Sequence, residues 1–77
     1  MNVTTLESTT LACIAYDDVR EILQLEFRSG TTHRYFGVPW PVCDGLLGAS
    51  SKGKYFNEVI RGRFSCALAA QARRGEA

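Results

Sequence analysis

The chain has 77 residues, 45% of them apolar and 22% charged, with a formal net charge of +1. At this length folding removes only about 60% of the unfolded surface from water, so the residues suffice for one domain and not for two. The balance excludes a disordered chain, and no apolar run reaches the roughly 20 residues that a membrane-spanning helix requires.

Residues 1–9 are polar, threonine-rich and aperiodic, which reads as a flexible leader. They carry Glu7 and no Lys or Arg, so a signal peptide is not expected. Residues 10–16 are apolar with a β-branched and an aromatic member and read as a first strand; Asp17 and Asp18 supply turn chemistry. Residues 21–28 alternate, with Leu23, Leu25 and Phe27 on one face and Gln24, Glu26 and Arg28 on the other. Ser29 and Gly30 turn the chain into a third strand over residues 31–36.

The register of this hairpin decides which side chains share a face. A two-residue turn at Ser29-Gly30 sets Leu25 opposite Arg34, which puts a charge among leucines. A type I turn at Arg28-Ser29 followed by a left-handed Gly30 sets Leu25 opposite His33 and Leu23 opposite Tyr35. The second register gathers the apolar and aromatic groups and is the one expected. His33 and Tyr35 then face the core as packing residues, while Arg34 and Phe36 face solvent with Ile22, Gln24 and Glu26.

Pro39 ends the sheet because it has no N–H for a ladder, and Pro41 opens a helix through about residue 49. Trp40, between the prolines, is expected to plug the end of the core. Ser51 offers a helix cap, and residues 52–61 set Tyr55, Phe56, Val59 and Ile60 on one stripe, with Gly62 as the stop. Residues 65–77 are alanine-rich and read as a further helix or a tail. The predicted architecture is α+β, a three-stranded antiparallel meander followed by two or three short helices packed on one face, with its domain at residues 10–64.

Charge is uneven: residues 1–50 carry a net −3 and residues 51–77 a net +4. Lys54 and Arg61 are seven apart and recur on one helical face, bracketed by Lys52 and Arg63. This is a candidate anion or nucleic-acid footprint. Cys13, Cys43 and Cys66 are odd in number, widely spaced and form no CxxC pair, so reduced packing thiols in a reducing cytoplasm are expected, with no metal site and no cofactor. The run from Gly48 to Lys54 has phosphate-loop spacing up to its lysine, but Tyr55 stands where Ser or Thr must hold magnesium. No nucleophile or carboxylate partner accompanies His33 by pattern. No catalytic constellation is present, so no enzyme is predicted.

Taken together, Tyr16-Asp17, Leu23, Leu25, Phe27, Gly30, Tyr35, Gly37-Val38-Pro39, Ala49, the run from Ser51 to Asn57 and Ile60-Arg61 resemble the KTSC domain. That family occurs at the C-terminus of some lysyl-tRNA synthetases and as a stand-alone bacterial or phage protein. The resemblance covers about residues 11–64, and the family's central Tyr-x-Tyr is His33-Arg34-Tyr35 here. It implies RNA as a partner and no established activity. The expected function is a non-enzymatic binding module for RNA that uses Arg34 and Phe36 on the open sheet face with Lys52, Lys54, Arg61 and Arg63. The alternative is a protein-interaction or homodimerisation module that buries Ile22 and Phe36.

Overall fold

The computed structural model describes residues 2–5 and 9–71. Five strands, β1 (Asn2–Thr5), β2 (Leu11–Asp17), β3 (Ile22–Phe27), β4 (Thr31–Phe36) and β5 (Cys66–Gln71), form one antiparallel sheet in chain order. Between β4 and β5 lie helix α1 (Trp40–Gly48) and helix α2 (Lys52–Tyr55), which runs directly into a π-helical turn at Phe56–Ile60. The α+β class and the order of strands β2 to β4 before the helices are as expected.

Two expectations about the ends of the chain are corrected. The meander has two more strands than the three predicted. The leader region contains β1, which pairs with β2 from Asn2 opposite Tyr16 to Thr5 opposite Cys13. Val3, Thr4 and Thr5 are β-branched and suit that role. The region read as an alanine-rich helix or tail contains β5, paired with β4 from Tyr35 opposite Cys66 to Thr31 opposite Gln71. Alanine favours helix only as a weak prior, and the open edge of β4 offers a ladder that overrides it. The rest of the leader (1, 6–8) and of the tail (72–77) lies outside the described residues.

The β3–β4 hairpin has the expected register: Leu25 pairs with His33 and Leu23 with Tyr35. Gly30 N–H donates to the Phe27 carbonyl at 2.9 Å, and Gly30 has φ +98°, a left-handed value that avoids the Cβ penalty. The β2–β3 turn is wider than two aspartates. Asp17 Oδ1 accepts from the Val19 and Arg20 amides, both at 3.1 Å, and Glu21 completes the turn at φ +56°.

The helices cover one face of the sheet. Leu11, Ile14, Leu23, Leu25 and Tyr35 from the strands pack with Cys43, Leu46, Phe56 and Ile60 from the helical side. Tyr16 donates its hydroxyl to the Val38 carbonyl at 2.7 Å, which ties the second strand to the chain entering α1. Trp40 does not plug the core. It is 50% exposed and leans on Tyr16 with ring centroids 5.6 Å apart. Tyr55 packs over α1 at Gly45 and donates to the Val42 carbonyl at 3.0 Å. No helix among the described residues is long and apolar enough to cross a membrane.

Candidate functional site

Two openings flank α2. The first is a polar cleft of about 600 Å³ bordered by Thr9, Thr10, Ser51, Lys52, Lys54 and Asn57. The chain builds it by stopping α1 at Gly48 and restarting at Ser51, whose Oγ accepts the Lys54 amide at 3.4 Å as the helix cap. The segment with phosphate-loop spacing therefore joins two helices and follows no strand. Lys52 Nζ donates to the Ala49 carbonyl at 2.9 Å and closes the same loop, while Lys54 is exposed. Ser50 and Glu58 also border the cleft, so its charge is mixed. The close approach of Thr10 to Gly53 holds the start of β2 against the helix.

The second opening is an aromatic pocket of about 390 Å³ beside the β3–β4 turn. Four rings close a circuit around it. Phe27 meets His33 (5.9 Å between centroids), His33 meets Tyr35 (6.3 Å), Tyr35 meets Phe56 (5.8 Å) and Phe56 meets Phe27 (5.3 Å). The contacts are edge-to-face or tilted, as ring quadrupoles prefer. Tyr35 and Phe56 are buried, whereas Phe27 and His33 are half-buried. Arg61 and Cys66 complete the lining. Burial pushes the Tyr35 hydroxyl above the usual phenol range; Cys66 adds to the rise and the Arg61 guanidinium opposes it. His33 Nδ1 is buried with no hydrogen-bond partner.

The structure divides the residues that the sequence grouped together. Arg34 and Phe36 lie on the sheet face opposite the helices, where Arg34 Nε donates to Gln24 Oε1 at 2.8 Å and Phe36 is 40% exposed. They share no surface with Lys52 and Lys54. Nor do Lys54 and Arg61 share an opening. The π turn, closed by the Arg61 amide on the Phe56 carbonyl at 2.8 Å, inserts an extra residue and breaks the seven-residue repeat. Lys54 borders the polar cleft and Arg61 the aromatic pocket. Arg63 is exposed in the following turn, whose amide donates to the Ile60 carbonyl at 3.0 Å. Among the described residues, no group of three or more His, Cys, Asp or Glu is placed to hold a metal ion.

Sequence reasoning placed His33 and Tyr35 inward but did not see that they line an opening. The signal was present: residues two apart on β4 face the same side as Phe27 on β3. What the pattern did not carry was the opening itself, which Arg61, Gly62 and Cys66 border between the π turn and β5.

The family model of the KTSC domain matches residues 7–64. A protein of Stutzerimonas stutzeri is 43% identical over 56 residues, which cover 73% of this chain and 79% of that protein. A lysine–tRNA ligase of Nostoc punctiforme is 38% identical over 58 residues, covering 75% of this chain but only 10% of the ligase. The crystal structure of a KTSC domain protein from Yersinia pestis superposes with a TM-score of 0.86 at 32% identity, covering 90% of this chain and 97% of that one. Motif, fold and family model agree, and the chain belongs to the KTSC domain family.

Proposed function

We propose that the protein is a non-enzymatic RNA-binding module that receives the phosphate backbone in the polar cleft. The observation that carries this reading is the grouping of Lys52 and Lys54 with the hydroxyl residues Thr9, Thr10, Ser50 and Ser51 around one opening. Ammonium groups neutralise phosphate, and hydroxyls and amides add contacts that carry no sequence information. The ammonium of Lys52 keeps donors beyond the one given to Ala49, and exposed Lys54 meets an incoming strand first. Glu58 on the same cleft repels phosphate and limits affinity, while the lysine contacts make binding sensitive to salt. The match to a segment of lysine–tRNA ligases, enzymes that act on an RNA, supports the same reading.

The test is a salt titration with a single-stranded oligoribonucleotide. Affinity should fall steeply as salt rises, and Lys54→Glu should weaken binding to every sequence and reduce the log–log salt slope by about 1. Unchanged affinity and slope in that variant would refute the cleft. A second reading, homodimerisation through the uncovered sheet face, draws on the exposed Phe36 paired across from Ile22. It requires a dimer in sedimentation at micromolar concentration that Phe36→Glu splits, and a monomer ends it.

A further inference from the structure

We propose that the aromatic pocket is a subsite for one unstacked nucleobase, with Arg61 meeting the adjoining phosphate. The inference rests on the RNA reading above and adds to it a place where a base is held. The pocket's volume, about 390 Å³, lies toward the small end of the roughly 300–1,000 Å³ typical of small-molecule sites. Its floor is the buried pair Tyr35 and Phe56, and the half-buried rings of Phe27 and His33 form the walls. A flat base stacks on such rings whatever its identity.

Three further observations favour a nucleotide over an apolar side chain from a protein partner. Among the described residues no carboxylate lines the pocket, whereas the guanidinium of Arg61 does, so its charge suits an anion. Ser29 and Thr31 also line it and offer hydroxyls to the polar edge of a base. His33 is the third. A ring present only to fill the core would be apolar, yet this imidazole leaves Nδ1 buried and unpartnered. An unmet polar group inside a small domain is a cost that pure packing does not require. The other ring nitrogen is then the one available to a ligand.

One hydrogen bond links the borders of the two openings. Arg61 Nη1 donates to Asn57 Oδ1 at 3.4 Å, and Asn57 borders the polar cleft. A strand whose base enters the aromatic pocket therefore runs its phosphates over Arg61 and across α2 toward Lys54. A duplex cannot do this, because its bases stay paired and stacked. This places single-strand selectivity in the pocket and general affinity in the cleft.

The experiment uses the full chain with three probes: octauridylate, an abasic octamer of the same charge, and AMP. Octauridylate should bind at least about 10-fold more tightly than the abasic strand, the range expected from loss of a stacked base. His33→Ala should lose a similar factor on octauridylate, while His33→Tyr, which restores a stacking ring, should stay within about threefold of the parent. AMP should shift the aromatic proton resonances of Phe27, His33 and Tyr35, in the parent and in Lys54→Glu alike. Equal affinity for the abasic strand, or undiminished octauridylate binding in a folded His33→Ala, overturns the pocket and leaves the cleft standing. No salt-sensitive binding to either octamer overturns both.

Discussion

Single atoms decide several properties of this protein. Burial, and secondarily the charge of Asp44, pushes the Cys43 thiol up to about 11 from an ordinary 9.0. The fold therefore favours the protonated thiol, and that contribution to stability is complete below pH 9 and is lost as pH rises through 11. The urea midpoint should decline across that window, and Cys43→Ala, whatever its stability at neutral pH, should show a shallower decline. Burial also raises the Tyr16 hydroxyl, which extends the same trend to higher pH. Two glycines of α1 make a sharper pair. A methyl group at Gly45 would collide with the Tyr55 ring and hydroxyl, whereas at Gly48 it meets nothing within 4 Å. Gly45→Ala should cost about 1–3 kcal/mol from overpacking, and Gly48→Ala should gain up to about 1 kcal/mol from helix propensity. Chemical denaturation of the two variants beside the parent measures both.

Among the elements, the β3–β4 hairpin was the most legible in sequence, because a one-residue slip would have put Arg34 among the leucines. Alternation and a single glycine sufficed to orient His33 and Tyr35. Gly30→Ala should therefore cost about 1–2 kcal/mol, since φ +98° is penalised once a Cβ is present; a thermal melt reads this directly. The outer strands were not legible. β1 owes its state to pairing with its neighbour β2, and β5 to pairing with β4 far back in the chain, where nothing local in an alanine-rich run distinguishes a strand from a helix. The π turn was equally hidden. It changes neither composition nor stripe, yet it sends Arg61 to a different opening from Lys54. Lys54 and Arg61, read on an ideal 3.6-residue period as one face, thus border separate openings.

For the molecule as a whole, the helices divide the surface into two sides with different chemistry. Both openings lie on the helical side, while Arg34, Gln24 and Phe36 occupy the uncovered sheet face. Arg34→Ala should accordingly leave octauridylate affinity within about twofold, in contrast to Lys54→Glu, and a binding titration of both variants at one salt concentration separates the two sides. The final strand has a consequence of its own. Cys66 belongs at once to the pocket wall and to a border strand whose residues from Cys66 to Ala70 are all exposed. Border strands open most readily, so amide hydrogens along this ladder should exchange sooner than those of β3. Any occupant of the wall it shares would act as a latch, slowing that exchange in proportion to its occupancy.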